Sequence, residues 1–225
     1  MKGIFDYDSP LMQVLGFIAD LFILNLVFLA CCLPIVTIGA AQSGLFNAMR
    51  VLQDREDDSS VLKAFFRGFK NGFFRITPVW IVFLVLDVIM VYTVLMTLTW
   101  AAEGIYIHWA FPTIILALLL LLQSVVPAFH ARFSCSPVQL VRNSMLMVGF
   151  HPLRSLGLAV LLWAPAAVAL FKPVLFVQIT PLFFTVYYST VYLMGALFMK
   201  KPFDQLIENF YSGDEEEKEA EQPVN

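Results

Sequence analysis

The chain is 225 residues long, 60% apolar and only 14% charged, whereas soluble domains run near about 45 to 50% apolar and about 25% charged. That balance excludes an ordinary soluble domain. The formal charge of -3 carries no recognition signal, because seven of the seventeen acids fall within residues 208–221, and nucleic-acid binding has no support.

Lys and Arg are missing between Lys2 and Arg50 and again between Arg75 and Arg132. Gaps of that size are long enough for helices that cross a ~30 Å hydrocarbon core. The expected architecture is an all-α polytopic membrane bundle of about five transmembrane helices and two cytoplasmic amphipathic helices.

The first span covers residues 11–33. Gly39, Ala40 and Ala41 resemble a signal-peptide cleavage site, but the apolar run is about twice the length of a signal segment and follows Asp6 and Asp8, so it reads as a retained helix. Pro34 interrupts it, since proline lacks an amide hydrogen and crowds the preceding turn. Beyond it, Ala40 and Gly44 stand at a small-xxx-small spacing that lets a neighbouring backbone approach. Residues 61–74 read as an amphipathic helix capped by Ser59 or Ser60. Lys63, Arg67, Lys70 and Asn71 lie on one side, with Leu62, Phe65, Phe66, Phe69 and Phe73 on the other. Asp54, Glu56, Asp57 and Asp58 precede it, where negative charge suits a helix N-terminus.

The second span is expected at 78–100, with Thr77 and Pro78 as its N-cap and first residue. Trp100 and Trp109 bracket the next connection, which contains Glu103, Tyr106 and His108, before a third span at 112–129. Ser136 and Pro137 open a second amphipathic helix, 137–150, carrying Gln139, Arg142 and Asn143 on one side. The fourth and fifth spans follow at 153–171 and 174–199. Residues 1–203 thus form one transmembrane domain and 204–225 an acidic tail, disordered at its end. Gly72-Phe73 and Gly149-Phe150 each precede a span, which suggests a unit of span, amphipathic helix and span used twice.

Orientation follows from the basic residues. With the N-terminus outside, the cytoplasmic side receives Arg50, Arg55, Lys63, Arg67, Lys70, Arg75, Arg132, Arg142, Arg154, Lys200, Lys201 and Lys218, twelve of the fourteen, and the outside only Lys2 and Lys172. N-out, C-in is the predicted topology.

Cys31, Cys32 and Cys135 read as unpaired thiols, and His108, His130 and His151 lie too far apart for a metal motif. No GxSxG, HExxH or phosphate-cradling glycine loop appears, and Cys135, Ser144 and His151 share a loop without a recognised geometry. Neither an enzyme nor a cofactor is expected.

Asn25-Leu26 through Leu33-Pro34-Ile35, with Thr37, Gly39, Ala40 and Ala41, followed by an aromatic and basic amphipathic segment and four more spans, resembles the YesL-like family of bacterial membrane proteins, a domain of unknown function. The resemblance runs to about residue 203. It implies a plasma-membrane protein working near carbohydrate ABC-type uptake, with transporter subunits as partners, and it brings no catalytic or ligand residues with it.

Two groups of residues are candidates for function. Asp20 and Asp87 sit near the middle of apolar spans, with Asn25 and the polar stretch Tyr187, Tyr188, Ser189, Thr190 and Tyr192 available to bond them. Intramembrane acids act either as interhelical glue, the first reading, or as part of a proton or cation pathway in a small transporter or channel, the second. Lys63, Arg67, Lys70 and Arg75 form a basic face suited to anionic lipid at the cytoplasmic interface. In outline that helix also resembles the short helices by which ABC permeases meet their ATPases, so partner docking is its second reading.

Overall fold

A computed structural model describes residues 10–54, 60–101, 107–133 and 135–220. Among these residues the chain is helical almost throughout and no strand forms. α1 (Pro10–Cys32) leads through a single 3-10 turn (Ile35–Thr37) to α2 (Ile38–Asp54), and α3 spans Val61–Ala101. α4 (Ile107–His130), α5 (Pro137–Phe150) and α6 (Pro152–Phe171) follow. α7 (Pro173–Leu182) and α8 (Tyr188–Ala220) are joined by a π turn at Phe183–Tyr187.

Among the described residues five helical stretches are long and apolar enough to cross a bilayer: Leu11–Cys32, Val61–Thr99, Ala110–His130, Pro152–Phe171 and Pro173–Gln205. The chain is a multi-pass integral membrane protein of the expected all-α class. Its outward faces are apolar, as Val82, Val88, Phe111, Val160 and Leu170 show. In water such a surface would aggregate, whereas lipid covers it. The tightly packed core lies around α2, where Leu45, Met49 and Phe65 have no exposed surface, and Tyr192 of α8 is wedged between Phe28 of α1 and Phe46 of α2.

One boundary differs from expectation. Residues 61–74 and 78–100 are a single 41-residue helix, α3, that runs through Pro78. Its contour length of about 61 Å is twice a hydrocarbon core. Proline removes only one backbone donor. Ile76, Val79, Trp80 and Phe83 are buried on either side of it and hold the helix together across the proline. The Thr77 hydroxyl is buried without a hydrogen-bond partner, so it does not act as an N-cap. Ser60 does open the helix, its hydroxyl accepting from the Lys63 amide at 3.4 Å.

The first half of α3 packs antiparallel on α2. Gly39 meets Ile76 and Trp80, Gly44 meets Phe65 and Phe69, and Asn47 Nδ2 donates to the Ala64 carbonyl at 2.7 Å. The apolar face read from the sequence is therefore divided: Phe65 is buried against α2, and Leu62 and Phe66 stay exposed.

At the other break, Pro34, the Thr37 hydroxyl reaches the carbonyls of Cys31 at 2.6 Å and Pro34 at 2.7 Å. The Trp80 indole donates to the Ile35 carbonyl at 3.0 Å and pins the turn to α3.

The two predicted units are not alike. The first amphipathic segment belongs to α3, while the second, α5, is a separate helix that stops at His151 before Pro152 opens α6. Its start is a capping box, in which Ser136 Oγ accepts from the Gln139 amide and Gln139 Oε1 accepts from the Ser136 amide. Leu140, Ser144 and Met147 are buried at the i, i+4, i+7 spacing of one helix face.

The acidic tail expected from residue 204 continues α8 as helix to Ala220. Its last five residues and the 102–106 connection, with Glu103 and Tyr106, lie outside the described residues, as do residues 55–59, including Arg55, Ser59 and three of the four acids placed before α3.

The α2 and α3 contact generates a stability prediction. A Cβ at Gly44 would lie 2.8 Å from the Phe65 carbonyl oxygen and one at Gly68 would lie 2.8 Å from Asn47 Cβ. Gly44→Ala and Gly68→Ala should each lower stability by about 1 to 3 kcal/mol. Gly157→Ala in α6, which has nothing within 4 Å of the added methyl, should raise it by up to about 1 kcal/mol. Thermal unfolding in detergent of the three variants checks the contrast.

Candidate functional site

The polar residues within the membrane fall into separate groups. Asn25 is completely buried, and its side chain enters the backbone of the last span. Nδ2 donates to the carbonyls of Phe183 and Phe184, both at 2.9 Å, and Oδ1 accepts from the Ser189 amide at 3.2 Å. The π turn at 183–187, just after Pro181, disturbs the regular backbone ladder. An asparagine amide carries both donor and acceptor, so it replaces the missing peptide partners.

Asp87 of α3 accepts from Gln123 Nε2 of α4 through Oδ2, while Oδ1 is buried with no hydrogen bond. Asp20, half-buried on α1, makes no hydrogen bond or ion pair among the described residues. The structure therefore does not bring Asp20, Asn25 and Asp87 together. Each of the latter two is bonded to a different helix, and the tyrosines expected to serve the acids do other work: Tyr187 donates to the Leu161 carbonyl at 2.7 Å.

A cavity of about 360 Å³ lies beside these groups, walled by Phe28, Trp80, Trp163 and Tyr192, with Gln42, Gln123 and Ser124 as its polar members. Gln123 connects it to Asp87, although neither aspartate lines it.

At the end of the bundle where α4 terminates, a second cavity of about 440 Å³ has a different wall. α2 supplies Ser43, Asn47 and Arg50; α3 supplies Arg67, Gly68, Asn71 and Arg75; the end of α4 and the residues after it supply His130 and Arg132. Four arginines meet there, and among the described residues the wall has no carboxylate.

Two of the four have partners in the protein. Arg50 Nη1 donates to the Ala131 carbonyl at 3.4 Å, and Arg132 pairs with Asp204 at 2.6 Å while its guanidinium lies 5.7 Å from the Phe203 ring centre. Arg67 and Arg75 make no hydrogen bond or ion pair among the described residues. Ser43 Oγ and His130 Nδ1 are 2.9 Å apart and both are buried. Among the described residues no carboxylate in the wall orients the imidazole as the third member of a nucleophile, base and orienter arrangement.

Of the basic face read from the sequence, Arg67 and Arg75 line the hollow together with Asn71, at i, i+4 and i+8. Lys63 and Lys70 are exposed and stand apart from it. The sequence places Arg50 and Arg132 only in the charge count and gives His130, Gln42 and Gln123 no part in a site. The two glutamines were detectable as amides inside apolar stretches, but the arginines converge from three helices and no local pattern links them.

A family model described as "Protein of unknown function, DUF624" matches residues 21–94, 74 of the 225. The matched stretch contains Asn25, the whole of α2, Asp87 and the α3 side of the hollow. No curated protein and no solved structure matches the chain.

Asn25→Leu would leave two carbonyls and one amide of the last span buried without their partner, costing about 1 to 3 kcal/mol. Thermal unfolding should show the loss, and an unchanged melting temperature would mean that the amide contributes nothing to holding the last span.

Proposed function

We propose that this protein is a non-enzymatic accessory or scaffold component of the bacterial plasma membrane that serves carbohydrate ABC-type uptake, with its N-terminus outside and its C-terminus cytoplasmic. The observation that carries this reading is where the polar groups are used. Inside the membrane Asn25, Asp87, Trp80, Trp163 and Tyr187 are bonded to neighbouring helices, whereas Arg67 and Arg75 face an open hollow at the basic end. Polar contacts that only join helices suit a scaffold. The carbohydrate link rests on the resemblance of residues 25–41 to the YesL-like family, and the orientation on twelve of fourteen Lys and Arg residues falling on one side.

A second reading, a small transporter or channel, is favoured by one observation: Gln123 bonds Asp87 and also lines the intramembrane cavity, with its Oε1 unbonded. Asp87→Asn separates the two. It keeps hydrogen-bonding capacity and removes the titratable proton, so under the scaffold reading the variant inserts, recovers carbohydrate-transporter subunits on affinity purification from native membranes, and sustains uptake. A stable Asp87→Asn protein that supports no uptake would favour transport, and wild-type protein that recovers no transporter subunit would remove the accessory reading.

The orientation has its own check. In a cysteine-free background, single cysteines at Glu103 and Trp109 should react with an impermeant thiol reagent added to intact cells, and cysteines at Asp57 and Ser60 should react only after permeabilisation. The reverse pattern would invert the topology.

A further inference from the structure

We propose that the arginine-walled hollow is a binding site for a phosphomonoester group. This inference does not depend on the accessory reading and would hold for a scaffold or a transporter alike.

Three features favour a phosphate over other anions. The first is charge. Asp204 compensates Arg132 from outside the wall, and among the described residues Arg50, Arg67 and Arg75 have no carboxylate partner around the one cavity. Like charges held together repel one another, and an entering dianion relieves that repulsion as a monoanion cannot do fully.

The second is direction. The guanidinium groups come from α2, from α3 and from the segment after α4, so they surround the cavity from three sides. A tetrahedral group with three terminal oxygens accepts bonds from all three sides, whereas a planar carboxylate presents two oxygens in one plane. Asn71 adds a neutral amide donor on the Arg67 and Arg75 face, and Ser43, paired with His130, adds a hydroxyl at the buried wall.

The third is preorganisation. Arg50 and Arg132 are already fixed by Ala131 and Asp204, so a ligand orders only the two free side chains. The volume of about 440 Å³ holds the phosphate and a substituent of glycerol or sugar size.

The phosphomonoester can belong to a soluble metabolite or to a lipid headgroup, since the hollow is walled by α3, a helix long and apolar enough to cross a bilayer, whose Phe74 is 81% exposed. Two arms distinguish these sources. Full-length protein in phosphatidylcholine nanodiscs is titrated with glycerol 3-phosphate by calorimetry. In parallel, native mass spectrometry counts lipids retained by protein from nanodiscs containing phosphatidic acid.

Saturable binding in the first arm assigns a soluble ligand, and retention of phosphatidic acid in the second assigns a lipid. In the arm that binds, Arg67→Gln with Arg75→Gln should weaken binding about tenfold or more. Lys63→Gln with Lys70→Gln removes the same charge from the same helix outside the wall and should leave affinity within about twofold. Should the arginine pair not yield a monodisperse protein, Arg67→Gln and Arg75→Gln singly should each weaken binding several-fold. No binding in either arm, or equal losses from the arginine and lysine pairs, overturns the proposal.

Discussion

The close approach of α2 and α3 is the constraint on which the rest of the arrangement depends. With Gly44 against the Phe65 carbonyl and Gly68 against Asn47, the two backbones come too near to admit a side chain at either glycine. Between lipid-exposed helices the hydrophobic effect gives little drive to associate, because a neighbouring helix is no more apolar than a lipid tail. Shape and directed bonds must supply it, and here they do: dense contact along the small residues, the Asn47 to Ala64 bond, and the Trp80 indole on the Ile35 carbonyl. The same approach sets Arg50 opposite Arg67 and closes two sides of the hollow. A packing feature thus places like charges side by side that isolated helices would keep apart.

The two cavities differ in a way that follows from their surroundings. In the apolar one, the amides of Gln42 and Gln123 leave oxygen atoms without hydrogen bonds. In the basic one, the side chains are charged and two are free. A membrane protein accepts unpaired polar atoms in its interior only at a cost of a few kcal/mol each, and Asp87 and Gln123, although bonded to each other, each keep one such oxygen.

The class of fold and the number of spans were legible because both depend on runs of apolar residues, and lipid imposes those runs directly. The capping of α5 by Ser136 and of α3 by Ser60 was legible for a similar reason, being local chemistry written in adjacent residues. The boundary at Pro78 was not. A proline marks where one donor is lost, but whether the helix stops there is decided by Ile76, Val79, Trp80 and Phe83 packing on other elements, and that information is non-local. Likewise Asn25 could be recognised as a costly group within a span, while its partners, the carbonyls of Phe183 and Phe184, carry no side-chain signal at all. The hollow lies furthest from local pattern. Arg50 and Arg132 are separated by the whole of α3 and α4 and were visible only as charges on one side of the membrane.

The Asn25 bond also has a consequence for how the chain is made. It joins the first span to the last, and its partners are 158 to 164 residues away in sequence. At about 5 to 20 residues per second of synthesis, those partners emerge roughly 8 to 30 seconds after Asn25 itself. Throughout that interval the first helix carries an amide whose final acceptors do not yet exist, in a medium where an unbonded amide is expensive. Until the last span is made, water or other polar groups must satisfy the Asn25 amide, and its bonds to Phe183, Phe184 and Ser189 can form only afterwards. The order of the chain makes this bond a late contact, however early the helix that carries Asn25 is threaded.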